Sequence, residues 1–375
     1  MEEASKILPA EQFEALFEAL KKLGFETWGV HEDNEALTLA PIDGPEDLPR
    51  GRIDDTGPGK MRLIDGSRDA YFDHTLPMQG LKRLVYPPKD KVFETDQDYT
   101  FKEPPVDARP IAVIGARSCD LVALDTLAGV LEKGPYPDHR FAERHQALFL
   151  VAVNCTRAAE TCFCASMNSG PKAESGYDLV LTELIDNGGH RFLIEAGSER
   201  GQEVLNTLPA EEATSKDRHT ADVITATVAA SMTRSMPDGV QEMLKTAYDH
   251  PQWNDIGERC MDCANCTLVC PTCFCSTIED RSSLDGNSAE RWRRWDSCFI
   301  RDFSYIHGGA VRKETASRYR QWMTHKLTHW HDQFGRSGCV GCGRCIAWCP
   351  VGIDITAEVR AIAKTKETVV EAGVS

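Results

Sequence analysis

This 375-residue chain contains no apolar run approaching the roughly 18 residues that a membrane-spanning helix needs, so no helical span is expected. Its first residues, MEEASKILPAEQFEALFEALKKLG, lack the basic start and apolar stretch of a secretory signal, and a cytoplasmic location is expected. A basic excess is also missing. The formal net charge is −16, which argues against a nucleic-acid partner, because phosphate binding needs a basic face that releases counterions. No GxGxxG fingerprint, P-loop or nucleophile–base pair is present, and GPGK (57–60) and IGARS (114–118) are too short to count as phosphate loops. No catalytic residue is assigned to the chain.

What the chain has in excess is cysteine, fifteen in all. Reducing conditions disfavour structural disulfides, and metal ligation becomes the first reading. Eleven cysteines lie between Cys260 and Cys349 and the other four between Cys119 and Cys164. This asymmetry predicts two domains, 1–237 and 238–375, with the boundary near SMPDGVQEML, where Pro237 can open a new helix.

In the first domain, the runs 109–116, 147–153, 177–184 and 190–196 read as strands, and 119–131 reads as a helix between the first two. An α/β layer is the expected result. Phe13, Leu16, Phe17, Leu20 and Leu23 recur at helical spacing, while the Pro-, Gly- and Asp-rich segment 39–60 reads as surface loop. The second domain shows almost no alternation. In 314–335, Tyr319, Trp322, Met323, Leu327, Trp330 and Phe334 share one helical face that Gly335 can terminate, so this domain is expected to be mostly helical.

CMDCANCTLVCP places Cys260, Cys263, Cys266 and Cys270 before Pro271, and CVGCGRCIAWCP places Cys339, Cys342, Cys345 and Cys349 before Pro350. Both are the C-x₂-C-x₂-C-x₃-C-P run of bacterial [4Fe–4S] ferredoxins, in which the fourth cysteine of each run ligates the other cluster. The expected sets are Cys260, Cys263, Cys266 and Cys349 for one cluster, and Cys339, Cys342, Cys345 and Cys270 for a second. Zinc is the alternative, but its sites commonly use two cysteine pairs on separate hairpins. The basic residues between the runs, Arg291, Arg293, Arg294, Arg301, Arg312, Lys313, Arg318, Arg320 and Lys326, would either offset cluster charge or form a solvated face. His325, His329 and His331 line a cluster or a proton path, or simply pack.

The tetrapeptide TCFC occurs twice, at 161–164 and 272–275. In the first copy, Cys162 and Cys164 follow Cys155, which itself follows the strand 147–153, while Cys119 follows the strand 109–116. If those strands are parallel neighbours, four thiols meet at the carboxyl edge of the sheet. A third [4Fe–4S] cluster on Cys119, Cys155, Cys162 and Cys164 is expected there, with zinc or free buried thiols as alternatives. In the second copy, Cys273 and Cys275, even with Cys298, are one short of a full set. They are expected to pack with Phe274 against a cluster and keep water out.

The segments CTLVCPTCFCSTIED, ERWRRWDSCF, SYIHGGAVR, SRYRQWMTHKL, SGCVGCGRCIAWCPVGIDIT, IGARSCDLVAL and NCTRAAETCFCASMNSGP resemble the iron–sulfur β subunit of soluble NAD(P)-linked nickel–iron hydrogenases, or sulfhydrogenases, and the related A-type iron–sulfur component of anaerobic sulfite reductase. The resemblance runs from about Pro110 onward. It implies an electron-transfer subunit between a flavoprotein NAD(P)H-reductase partner and a catalytic hydrogenase subunit, or the equivalent component of a sulfite or sulfur reductase. A structural-zinc interaction module is the remaining alternative.

Overall fold

The computed structural model describes residues 5–75, 77–98 and 100–372. The strands Ile111–Ala116 and Leu148–Val153 are buried at every position and pair in parallel. Both faces of these strands are covered, which is why their sequences are continuously apolar and do not alternate. Glu26–Asp33 extends the parallel run on one side and Leu179–Asp186 on the other. Antiparallel strands finish an eight-stranded mixed sheet. Its order is Glu211–Glu212, Ser5–Pro9, Gly189–Ala196, Leu179–Asp186, Leu148–Val153, Ile111–Ala116, Glu26–Asp33 and Ala36–Pro41.

The helix Glu14–Lys22 lays Leu16, Phe17 and Leu20, together with Phe13 just before it, on one face of this sheet against Phe149, Val151, Phe192 and Ile194. Each such side chain contributes about 1.5–3 kcal/mol by leaving water. Leu23, the last member of the expected stripe, lies beyond the helix end and is exposed. On the opposite face, the helix Ser118–Leu131 packs Leu121, Leu124 and Leu127 on Val113, Leu150 and Val180.

The segment 39–60 is not simply surface loop. Arg52–Gly57 pairs with Lys60–Asp65 as a hairpin, and Ile42, Leu48 and Asp54 are buried. Asp54 is tolerated inside because it accepts hydrogen bonds from Thr75 and Arg157, partners remote in sequence.

In the C-terminal part, the helices Gln252–Arg259, Thr315–Thr324 and Trp330–Phe334 and the long helix from Ile355 enclose a core of Trp253, Ile256, Phe299, Tyr319, Trp322, Met323, Leu327, Ile346 and Val359. Phe334 is partly exposed, and Gly335, at φ +68°, ends the helical segment. Between Thr324 and Trp330 the helix widens into the π-turn His325–His329. The interval between the cysteine runs is not all helix, however. Ser276–Ser282 pairs with Ala289–Trp295, and the latter pairs with Lys89–Thr95 from the N-terminal part, forming a four-stranded sheet across the expected boundary. This hairpin is joined largely by charge, with Arg291 on Asp280 and Arg294 on Glu279, while Lys89 and Lys91 face the Trp292 ring.

Candidate metal centre

The two cysteine runs share one backbone shape. In the first, Asp262 and Ala264 flank Cys263 with φ of 52° and 63°; in the second, Gly341 and Gly343 flank Cys342 with φ of 62° and 76°. Two left-handed residues around the middle cysteine curl each loop, and a four-residue helix follows, Asn265–Leu268 or Arg344–Ala347. Aspartate tolerates this conformation better than most residues. The Asp262 carboxylate is held by Thr315 and Arg318.

Only glycine fits in the second run. A Cβ on Gly341 would stand 2.7 Å from the backbone of Phe163 and Cys164, and one on Gly343 would stand 2.3 Å from the Thr161 carbonyl oxygen. The first TCFC therefore lies backbone to backbone against the second run. Phe163 N–H donates to Gly341 O at 2.9 Å, and Ser169 Oγ donates to Val340 O at 2.6 Å.

Cys260, Cys263, Cys266 and Cys349 line one cavity, walled by Phe299, Tyr319, Trp322 and Ile353. Cys270, Cys339, Cys342 and Cys345 line a second, with Phe163, Val340 and Lys326. The last cysteine of each run thus sits with the other run. Cys345, Trp322 and Ile355 border both cavities. Burial pushes the Cys266 thiol well up, and its neighbours Cys260, Cys349 and Cys263 add to this. Burial likewise takes Cys339 up to about 12, against the pull of Lys326.

Cys119, in the first turn of the helix Ser118–Leu131, and Cys155, Cys162 and Cys164, beyond the strand Leu148–Val153, gather at the carboxyl edge of the two parallel strands. Cys164 is raised by burial and then by Cys155 and Cys162, and Cys119 by burial, Asp120 and Cys164. Cys342 of the second run acts on both. At this border Arg344 donates to Asp120 Oδ1 at 3.0 Å and to Pro77 O at 2.9 Å.

Among the described residues, no three or more His, Cys, Asp or Glu side chains converge on a single-ion site. The donor sets instead surround apolar cavities. Buried thiols of this kind release their protons to bind metal, and four of them per set fit an iron–sulfur cluster.

Cys273, Cys275 and Cys298 lie beside these sets. Cys275 is lowered to about 7, chiefly because the Cys298 thiol donates to it. Phe274 meets the Trp330 ring edge-on at 6.2 Å, and its carbonyl accepts from Tyr86 Oη. Of the histidines, His325 is lowered to about 4 by burial and then by Lys326 and His329, and it contacts the Trp330 ring.

The feature least expected from sequence is a set of buried cations. Lys326 donates to Cys270 Sγ at 3.1 Å, and Lys82 donates to the carbonyls of Leu268 and Cys273 while facing the Trp295 ring at 3.9 Å. A signal for Lys326 existed: it stands four residues after Trp322 and three after Met323, on the apolar face.

Residues 259–353 match the family model described as a 4Fe-4S dicluster domain. Over 351 residues the chain is 29% identical to sulfhydrogenase 2 subunit beta of Pyrococcus furiosus, covering 92% of this chain and 95% of that subunit. No solved structure matches the chain. With a dicluster domain in its C-terminal part and a β subunit matched along nearly the whole of both chains, the protein fits the iron–sulfur β-subunit family of the sulfhydrogenases.

Proposed function

We propose that the chain is a cytoplasmic iron–sulfur subunit that passes single electrons between a flavin-containing NAD(P)H-reductase partner and a nickel–iron hydrogenase catalytic subunit. The observation that carries this reading is the exchange of fourth cysteines, with Cys349 on the first cavity and Cys270 on the second. Cys260, Cys263, Cys266 and Cys349 would hold one [4Fe–4S] cluster, Cys270, Cys339, Cys342 and Cys345 a second, and Cys119, Cys155, Cys162 and Cys164 a third. Such clusters supply one-electron carriers whose potentials follow charge, hydrogen bonding and solvent exposure.

The protein's own contribution is spacing and dryness. Cys345 and Trp322 form a common wall between the first two sets, and Cys342 abuts Cys119 and Cys164 of the third. The sets therefore follow one another in a line. Cys263 is exposed whereas Cys119 and Cys164 are buried, so the first set is the solvent-facing end. In this reading the domain 1–237 carries the third set and 238–375 the other two. Among the described residues no helix is long and apolar enough to cross a membrane.

The test is iron and acid-labile sulfide in protein isolated without oxygen. Three clusters give about twelve irons per chain and two give about eight; zinc without sulfide overturns the proposal. A nickel-containing partner in the isolated complex supports the hydrogenase assignment, and a sirohaem partner replaces it with the sulfite reductase one.

A further inference from the structure

Most of the positive charge between the cysteine runs is answered by nearby carboxylates. Arg291 and Arg294 pair across their hairpin, Arg293 pairs with Asp90 and Asp138, and Arg318 pairs with Asp262. Lys326 is different. It is buried, and its Nζ donates to Cys270 Sγ at 3.1 Å, Thr272 Oγ1 at 2.9 Å and Gly338 O at 3.3 Å. None of these partners is a carboxylate.

Three acceptors match the three N–H donors of an ammonium, which has no lone pair to offer. The Thr272 hydroxyl proton is already committed to Gly338 O at 2.6 Å, leaving its oxygen free to accept from Lys326. The backbone of residue 326 is fixed as well, because its carbonyl accepts from Gly338 N–H at 2.8 Å and from Ser337 Oγ at 3.3 Å. Lys326 lies within the π-turn His325–His329, a helix irregularity that is frequent at functional sites.

We propose that Lys326 sets the second cysteine set apart electrochemically: its fixed positive charge and its N–H···S contact with Cys270 raise the reduction potential of the cluster held there above that of the cluster on Cys260, Cys263, Cys266 and Cys349. The inference rests on the cluster assignment proposed above. A nearby cation stabilises the extra electron of the reduced state, strongly so in a dry interior. The cation bordering the first set, Arg318, is matched by Asp262, and Arg344, between the second and third, is matched by Asp120. Lys82 directs its donors to the carbonyls of Leu268 and Cys273. Of these cations, Lys326 is the one that donates to a sulfur of the ligand sets. It acts through Cys270 and is a positioning residue.

The experiment is a redox titration followed by electron paramagnetic resonance on the full chain isolated without oxygen, with iron counted in the same samples. Wild-type protein should titrate its two dicluster centres at separate midpoints. Lys326→Met should lower the higher midpoint by at least tenfold in the ratio of reduced to oxidised cluster, about 59 mV for one electron. Lys326→Arg should restore part of the shift, and the exposed control Lys313→Gln should move neither midpoint. Coincident wild-type midpoints overturn the proposal, as does an unmoved midpoint in an iron-replete Lys326→Met protein. If Lys326→Met loses iron, the wild-type separation decides. A wild-type chain without iron instead overturns the cluster assignment itself.

Discussion

Arg344 and Asp120 meet at 3.0 Å in the interior, joining the short helix of the second cysteine run to the first turn of the helix that carries Cys119. Their side chains are 2% and 6% exposed. Removing one partner of a buried pair strands the other charge and costs about 3–5 kcal/mol, whereas removing both costs less than the sum. Arg344→Ala should therefore unfold at markedly lower denaturant concentration than wild type. The double variant Arg344→Ala/Asp120→Ala should recover part of the loss. Additive losses in denaturant titrations would show that the pair does not couple the two parts.

Cys162→Ser combined with Cys164→Ser should lower the iron count by about four per chain, leaving the content expected of two clusters. An unchanged count would remove the third set from the relay and make its cysteines structural.

Gly343→Ala should be destabilising on two grounds. A left-handed backbone costs a residue with a side chain about 1–2 kcal/mol, and the new Cβ, 2.3 Å from the Thr161 carbonyl oxygen, adds about 1–3 kcal/mol of overlap. Gly286→Ala is the comparison, since φ there is +73° and the surrounding space is open, so only the backbone cost applies. Thermal unfolding should rank Gly343→Ala well below Gly286→Ala. Equal melting temperatures would contradict the close approach of the two loops.

Asp90 ties the strand Lys89–Thr95 to Arg140 and Arg144 at 3.0 Å and 2.9 Å. Burial opposes its ionisation, but the hydrogen bonds from Arg144 and Arg140 outweigh that and hold it at about 2, below the ordinary 3.8. A depressed carboxylate contributes stability that is fully present above 3.8 and is lost as pH falls towards 2, amounting to about 2 kcal/mol. Asp90→Asn should be less stable than wild type at pH 6, with the gap narrowing below pH 4. A gap independent of pH would assign the effect to packing.

The sequence made some parts of this architecture plain and hid others for physical reasons. Ile111–Ala116 and Leu148–Val153 are legible because strands covered on both faces read as unbroken apolar runs. The cysteine runs are legible because their ligand spacing is local. The hairpin formed by STIEDRS and AERWRRW is not, because its partner strand Lys89–Thr95 is distant in sequence and its cross-strand contacts are largely ion pairs. Lys326 was hidden for a related reason: a lysine in a basic segment reads as solvated until the fold brings Cys270, Thr272 and Gly338 around it.

The exchange of Cys270 and Cys349 between the two cavities also constrains biosynthesis. A ribosome delivers Cys260, Cys263 and Cys266 long before Cys349, so during translation the first pocket has three thiols and an open corner. The four thiols near the sheet edge are all present once residue 164 has emerged. Maturation of the dicluster pair must therefore wait until translation is almost finished, leaving the nascent thiols exposed to oxidation for that interval.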